Sequence, residues 1–208
     1  MAAHDHPGEG LHAAKWPRLH ALIAVNVLPS SLPGVLLVKP DVFYDARGLL
    51  FESYHADRYA AAGISTRFVQ DNHSRSEAQT LRGLHYQLFH PQGKLVQVTL
   101  GTIFDVAVDI RRGSPTFGRW VSTTLSAENR WQLYIPPGFA HGFYVAEGPA
   151  EVEYKCTDYY RADDQYGIRW NDPTLAIAWP GTNPILSERD QRSPLLALDR
   201  GDLPIFDK

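Results

Sequence analysis

Between Gln79 and Cys156 the sequence is a run of short strands separated by glycine, proline or polar residues. Apolar and polar residues alternate in VQVTL from Val96 and again, after Gly101, in FDVAVDI from Phe104, which is the period of a strand. WVSTTL, WQLYIP and AEVEYKCT continue the series, and PPGFAHGF has a turn-rich composition. Strands at intervals of about eight to twelve residues favour an antiparallel sandwich or barrel over a parallel sheet. The pattern predicts an all-β domain, with a jelly-roll barrel as the preferred form.

The segments on either side of this run divide the chain into an extension and one domain. Residues 1–30 mix His, Gly, Ala and Pro with little periodicity, which predicts a partly disordered N-terminal extension. The remainder, 31–208, is predicted to be one domain, because the chain is long enough for one good core and short for two. Within it, 35–53 has the pattern of a β-hairpin, 55–63 that of a short helix ended by glycine, and 183–202 that of one or two short helical segments flanking the barrel.

The composition excludes several classes of partner. Hydrophobic residues make up 44% and aromatic residues 12%, as in globular proteins, and a formal net charge of −3 leaves no basic field for a polyanion, so we expect no nucleic acid. The single cysteine, Cys156, excludes an internal disulfide and a metal site of several thiolates. The apolar stretch 19–28 is interrupted by polar residues and is too short to span a bilayer, so we expect no membrane association and a cytoplasmic location.

Four ionisable residues lie on or beside apolar strands or in a glycine-bounded turn: His85, Lys94, His141 and Tyr154. Alternation puts Tyr154 on the same face as Val152, so its hydroxyl points inward if that valine does. Taken singly, each of these residues is more often structural than catalytic. Together in one cavity they would form an unusually polar core unless a substrate were bound there. The pattern alone leaves a catalytic cavity and a polar core both open.

Metal binding is the obvious alternative for a small barrel that contains histidines. The usual pattern has two histidines one residue apart, a glutamate a few residues later and a third histidine on a distant strand. Here the stretch reads His85, Tyr86, Gln87, with no glutamate before Lys94, so two of the expected ligands are missing. The nearby ammonium would also repel a cation. We therefore expect no metal site.

Segments distributed over most of the chain resemble the dTDP-4-dehydrorhamnose 3,5-epimerase family, the RmlC-like cupins. They include FVQDNHSRS, TLRGLHYQ, PQGKLVQV, PPGFAHGF, EYKCTDYY and GIRWNDP, and they run in unbroken order from about Leu32 to Leu196. The resemblance implies a cupin jelly roll, also called a double-stranded β-helix, that works as a homodimer with neither metal nor organic cofactor. The implied substrate is a dTDP-linked 4-keto-6-deoxy-hexose, inverted at C3 and C5.

The resemblance also implies roles for four catalytic residues. His85 matches the family's base, and Asp190 matches the carboxylate that holds the imidazole tautomer. Lys94 matches the cation near the oxyanion that develops at C4, and Tyr154 matches the proton donor on the opposite face of the ring. Such chemistry needs a base, an acid and an oxyanion stabiliser around one ring, which would account for an imidazole and an ammonium on one short stretch.

Seven further residues match substrate contacts of the family. They are Arg82 for the diphosphate, Gln70 and Asn72 for the nucleotide or phosphates, Tyr160 for the base, His141 for the sugar or the shell behind it, and Arg47 and Glu52, which reach the partner subunit's site. One departure is Leu49 and Leu50, where many members carry an aromatic pair. This departure puts the nucleotide preference in doubt and leaves the chemistry untouched.

Three other functions remain open at this point. A relative that inverts only C3 or only C5 would keep the same catalytic residues. A ketoisomerase would use a related fold and leave a 3-keto product. A non-catalytic nucleotide-sugar or carbohydrate-binding barrel is the alternative from another class, but a binder has no need of a base and an acid on opposite sides of one ring.

Overall fold

The structure, a computed structural model, describes residues 25–206 and consists mainly of β-strands. The strands of the barrel and its edges are β1 (Asn26–Pro29), β2 (Leu36–Lys39), β5 (Gln70–Ser76), β6 (Leu81–Gln87), β7 (Lys94–Asp109), β8 (Trp120–Ser126), β9 (Gln132–Ile135), β10 (Phe139–Cys156) and β11 (Gln165–Gly167). A separate hairpin consists of β3 (Val42–Asp45) and β4 (Gly48–Phe51). The helices are α1 (Ala56–Ala61), α2 (Glu188–Arg192) and a 3₁₀ turn at Ala162–Asp164. No helix in the described range is long and apolar enough to cross a membrane.

Two long strands, β7 and β10, connect the two faces of the barrel. The first half of β7 pairs with β9 and its second half pairs with β8. The second half of β10 pairs with β5, and its first half pairs with β6. One face therefore has the order β1, β2, β9, β7, β10, β5, and the other has the order β8, β7, β10, β6, β11. This arrangement confirms the predicted all-β jelly-roll barrel with short flanking helices.

Along β7 the inward-facing positions change from even-numbered to odd-numbered residues, which we call the parity change. Val96 and Val98 belong to the core inside the barrel, as do Ile103 and Ala107. Even-numbered positions thus face inward before the bend and odd-numbered positions after it, and Gly101, with φ of +75°, lies at the bend. The sequence alternation around Gly101 predicted one apolar and one polar face, whereas both faces of the second half are buried. Its even-numbered residues pack instead into a second core beneath the C-terminal segment.

A parity change of the opposite sense occurs in β10. Phe139, Phe143 and Val145 face the interior in its first half, and Val152 does so in its second half. The pairing with β7 has register shifts between these halves. Residues far apart on one strand consequently point into the same interior, although a regular strand would place some of them on opposite faces.

Several local predictions are confirmed, and others need correction. The hairpin within 35–53 is present, and so is the helix within 55–63. PPGFAHGF is not mainly a turn, because β10 begins at Phe139. Of the extension 1–30, residues 26–29 form β1 and pair with β2, and residues 1–24 lie outside the described range. The tail 183–202 contains one short helix, α2, and no helix forms in PLLAL.

At the end of one face, β11 has no further strand beside it within residues 25–206. Its inner side pairs with β6. On the outer side, the guanidinium of Arg189 donates to the carbonyl oxygen of Gln165, and that of Arg200 donates to the carbonyl oxygen of Gly167.

Candidate active site

A cavity of about 260 Å³ opens at one end of the barrel, between β5, β6, the start of β7 and the end of β10. It is lined by Gln70, Asn72, His85, Tyr86, Gln87, Gln92, Lys94, Tyr154, Tyr160 and Gln165. An imidazole, an ammonium and a phenol thus share one space, and six of the predicted site residues line it. Tyr86, Gln87, Gln92 and Gln165 were not predicted, because nothing in the local pattern separates an amide or phenol that lines a cavity from one on the surface.

His85 lies on β6 and is held by a carboxylate from α2. Its Nε2 lies 2.6 Å from Oδ1 of Asp190, which is 3% exposed. Ser187 caps α2 by accepting from the Asp190 backbone N–H, and the Gly83 N–H points at Asp190 Oδ2. With its Nε2 proton directed at Asp190, the imidazole keeps Nδ1 as the basic nitrogen. The predicted pairing of these two residues is therefore present.

The pKa of Asp190 is lowered in spite of its burial. Desolvation, the largest single effect, raises this pKa, but the hydrogen bond and charge of His85 together with the hydrogen bonds from Gly83 and Ser187 outweigh it. A carboxylate that remains ionised stabilises the imidazolium that forms when His85 accepts a proton. The pair can thus act as an oriented general base.

Lys94, the first residue of β7, brings its ammonium to the same cavity. Burial lowers the pKa of Lys94, and the nearby Cys156 and Asp105 partly offset this effect. Within residues 25–206, no carboxylate oxygen lies within 4.0 Å of its nitrogen. The charge is therefore available to an anion in the cavity, where it acts more strongly than it would in water.

Tyr154 packs against the interior core and also lines the cavity. Burial raises the pKa of its phenol, so the group remains protonated at neutral pH and can donate. No hydrogen bond engages its hydroxyl among the described residues. As alternation predicted, it shares its inward orientation with Val152.

His141 forms a second buried pair, with a residue that sequence reasoning missed. Its Nε2 lies 2.9 Å from Oδ2 of Asp105, and both side chains are almost fully buried. Burial lowers the pKa of His141, against the opposing effect of Asp105. Asp105 escaped notice because it occupies a polar position in an alternating strand. The available signal was its place between Phe104 and Val106, since a strand covered on both faces leaves an acidic side chain in need of a partner.

Three predicted substrate contacts form one wall of the cavity. The Tyr160 backbone N–H donates to Gln70 Oε1 (2.8 Å), and Gln70 Nε2 donates to Asn72 Oδ1 (2.9 Å). Because a backbone N–H can only donate, it determines the orientation of both amides. Arg82 on β6 donates to Ser76 Oγ, and its charge partly offsets the rise that burial causes in the pKa of the neighbouring Tyr154.

Arg47 and Glu52 do not reach this chain's cavity. Arg47 lies in the turn of the β3–β4 hairpin and pairs with Asp45. Glu52 follows the hairpin and pairs with Arg58 of α1. The structure therefore brings His85, Lys94, Tyr154 and Asp190 together and leaves these two residues apart. No cluster of three or more His, Cys, Asp and Glu side chains arranged to hold a metal ion occurs in the described part of the chain.

The sequence matches known proteins over most of its length. A family model described as dTDP-4-dehydrorhamnose 3,5-epimerase matches residues 29–197. The protein of that name from Pseudomonas aeruginosa is 54% identical over 169 residues, which are 80% of this chain and 93% of that protein. The one from Neisseria gonorrhoeae is 53% identical over 168 residues, and the match spans 80% of this chain but only 51% of that longer protein.

A solved structure shows the same likeness in three dimensions. It is dTDP-6-deoxy-D-glucose-3,5-epimerase RmlC from Legionella pneumophila, in complex with dTDP-4-keto-L-rhamnose. The two chains superpose with a TM-score of 0.86 at 49% identity, and the match covers 88% of this chain and all of that one. With the family model and these relatives in agreement, the chain belongs to the dTDP-4-dehydrorhamnose 3,5-epimerase family.

Proposed function

We propose that the chain inverts C3 and C5 of a dTDP-linked 4-keto-6-deoxy-hexose, converting dTDP-4-dehydro-6-deoxyglucose to dTDP-4-dehydrorhamnose. The observation that carries the proposal is the shared cavity of His85, Lys94 and Tyr154. Relatives of that name at 53–54% identity, and the Legionella structure with its bound keto sugar, support the substrate class.

The C4 ketone makes the hydrogens on C3 and C5 acidic, since both carbons are adjacent to it. His85 removes one such proton; the C–H electron pair forms a carbon–carbon double bond, and the carbonyl π pair moves onto the C4 oxygen. Lys94 stabilises the resulting enolate oxygen. When the carbonyl re-forms, Tyr154 delivers a proton to the same carbon from the opposite face, which inverts it. Exchange with solvent restores both groups, and the cycle repeats at the other carbon.

Asp190 serves the base rather than the substrate. Paired with His85 Nε2, it fixes the tautomer and balances the imidazolium charge. The other predicted residues serve binding. Arg82 suits a diphosphate, because its guanidinium is planar and permanently charged. Gln70 and Asn72 offer oriented amides, Tyr160 offers an aromatic ring to the nucleotide base, and His141 lies behind the sugar.

Homodimerisation is part of the proposal. Arg47 and Glu52 would complete the partner subunit's site, as their separation from this chain's own cavity allows. The β3–β4 hairpin forms its own two-stranded sheet, with Tyr44, Leu49 and Leu50 exposed. Exposed apolar side chains on a separate hairpin are suited to burial against a second subunit. The expected cytoplasmic location stays a prediction.

The deciding experiment is turnover of the dTDP-linked 4-keto-6-deoxy sugar in deuterated water by dialysed, metal-free protein, read by NMR. Deuterium at both C3 and C5 with inversion supports the proposal. Label at one carbon would make the chain a monofunctional epimerase, a 3-keto product would make it a ketoisomerase, and binding without exchange would make it a non-catalytic barrel.

A pair of variants tests the base. His85→Ala should lower turnover by roughly two or more orders of magnitude while substrate still binds. His73→Ala is the matched control, because His73 lies on β5 with a half-exposed side chain and does not line the cavity. Equal turnover in the two variants would exclude His85 as the base.

A further inference from the structure

Asp105 is a buried carboxylate that is only half satisfied. It is 0% exposed, and its Oδ2 accepts from His141 at 2.9 Å. Its Oδ1 is buried and has no hydrogen-bond partner in the described part of the chain. An unpaired buried carboxylate oxygen costs free energy, so its presence here calls for an explanation.

The parity change along β7 places this charge in the interior with Lys94. The two residues are eleven positions apart on one strand. A regular strand would point them to opposite faces, and the change of inward parity near Gly101 points both inward. Burial lowers the pKa of Lys94, and Cys156 and Asp105 both act to raise it.

Seven ionisable groups line the cavity with Lys94 or interact with it electrostatically: Tyr86, His85, Asp105, His141, Tyr154, Cys156 and Tyr160. Burial raises the pKa values of Tyr154 and Cys156, so both are uncharged at neutral pH. Asp105 is the one carboxylate in this set.

His141 does not cancel that negative charge. Burial lowers the pKa of His141, so the neutral imidazole prevails and donates its Nε2 proton to Asp105. The pair therefore keeps a net negative charge while His141 fixes the direction of the carboxylate.

We propose that Asp105, oriented by His141, is a positioning residue that keeps Lys94 in its ammonium form within the cavity. The inference deepens the proposed function and rests on it for the role of that ammonium as the oxyanion stabiliser. Asp105 touches no reacting atom and acts through Lys94.

Direct titration of Lys94 tests the inference without substrate. The chain has five lysines, so [ε-¹³C]lysine gives a simple NMR spectrum in which Lys94 is the resonance missing from Lys94→Gln. In Asp105→Asn the Lys94 resonance should titrate roughly one pH unit lower than in the wild-type protein, because a favourable charge has been removed. The alkaline limb of kcat/KM should move down by the same amount.

Two further variants make the result independent of one substitution. Asp105→Ser keeps an oxygen acceptor for His141 without the charge and should shift Lys94 in the same direction. Asp109→Asn is the matched control: it is buried on the same strand, but it bonds to Arg111, Ser114 and Thr116 and does not line the cavity. It should leave the Lys94 titration unchanged.

The outcomes separate this inference from the proposed function. If Lys94 titrates identically in the wild-type protein and both Asp105 variants, the inference is overturned even if turnover occurs. A downward shift in both variants, with none in Asp109→Asn, supports the charge role even if the sugar nucleotide is not turned over. Equal shifts in Asp105→Asn, Asp105→Ser and Asp109→Asn would mean that losing any buried carboxylate of β7 disturbs the packing around Lys94. That result would overturn the inference.

Discussion

Tyr154 packs against the hydrocarbon core and also lines the cavity. Burial keeps the phenol protonated, and the lack of a hydrogen-bond partner among the described residues leaves it free to donate. A proton donor needs both properties, since a phenol already engaged in a hydrogen bond would have to break it before reacting.

Tyr154→Phe removes only the hydroxyl and should keep the packing. We expect kcat to fall by about 10²–10⁴-fold, with a small change in KM, because one acid is lost from the reaction. Steady-state kinetics with the 4-keto sugar measures this. Tyr159→Phe removes the hydroxyl from an exposed tyrosine outside the cavity, so it is the control. Full turnover in Tyr154→Phe would show that another group is the proton donor.

The residues differ in how far sequence could identify them. His85, Lys94 and Tyr154 stand out because ionisable groups on apolar strands are rare. Asp190 could be named only through the family resemblance, because it lies 105 residues from His85 in a short helix that resembles any solvated one. Asp105 was missed because its alternating position resembles a solvent-facing one. It is buried because the odd-numbered residues of this part of β7 face the barrel interior, where Asp105 pairs with His141.

At the level of elements, close contact between β6 and β10 brings His85 beside His141. Gly83 has φ of +119°, and a Cβ there would lie 2.6 Å from Gly142 Cα. A Cβ on Gly142 would in turn lie 2.8 Å from the Arg82 carbonyl oxygen. Gly142, the second glycine of PPGFAHGF, therefore permits close contact between strands rather than a turn, which is why composition gave the wrong prediction there. Local composition cannot distinguish these uses, because the neighbouring strand is distant in sequence.

Gly83→Ala should lower the free energy of unfolding by roughly 1–3 kcal/mol or more, since β6 must move away from β10 and the backbone is strained. Turnover should fall as well, because His85 is two residues away. Urea denaturation measures the first effect. Gly63→Ala is the control, with φ of +99° and no atom within 4 Å of the added Cβ. Equal losses of stability in the two variants would show that the clash between β6 and β10 adds nothing to the backbone strain of Gly83→Ala.

At the scale of the whole molecule, the β3–β4 hairpin pairs with no other strand among the described residues, which leaves its apolar side chains for a second subunit. We expect light scattering to give twice the chain mass of 23.3 kDa. Leu50→Glu places a charge on the exposed apolar surface of the hairpin and should shift the protein toward the monomer, with loss of turnover. Leu198→Glu changes an even more exposed leucine in the tail and should leave the mass unchanged. A monomeric wild-type protein would refute the dimer.

Stability should fall in acid. The pKa values of Asp109, Asp190 and Asp202 are all lowered. Burial alone would raise the pKa of Asp109 and of Asp190, but their hydrogen-bond partners outweigh it. For Asp202 the hydrogen bond from Arg200 is the largest effect. These carboxylates contribute stability above their unfolded pKa of about 4, and it is lost as pH falls through the folded values. The pKa of His141 is also lowered, so the unfolded chain binds this proton before the folded protein does. Stability should therefore also fall as pH drops below about 6.5.

Urea denaturation between pH 7 and pH 3 measures this dependence. Asp109→Asn should be less stable than the wild-type protein at pH 7 and should show a shallower decline below about pH 4, because one of the responsible groups is gone. A decline as steep as that of the wild-type protein would show that Asp109 contributes nothing to it.

Most of the architecture could be predicted from alternation and spacing, since these depend on neighbours in sequence. The parity changes in β7 and β10 could not, because they arise where two long strands bend together. Those bends decide which side chains share the interior.

The guanidinium groups on the outer side of β11 have a consequence for behaviour at high concentration. An uncovered sheet margin can recruit a strand from another molecule and start aggregation. Arg189 and Arg200 already occupy the two acceptors through which such recruitment would begin. In the described part of the chain, the barrel can therefore end in a strand that no other strand covers and still resist fibre-like growth from that side.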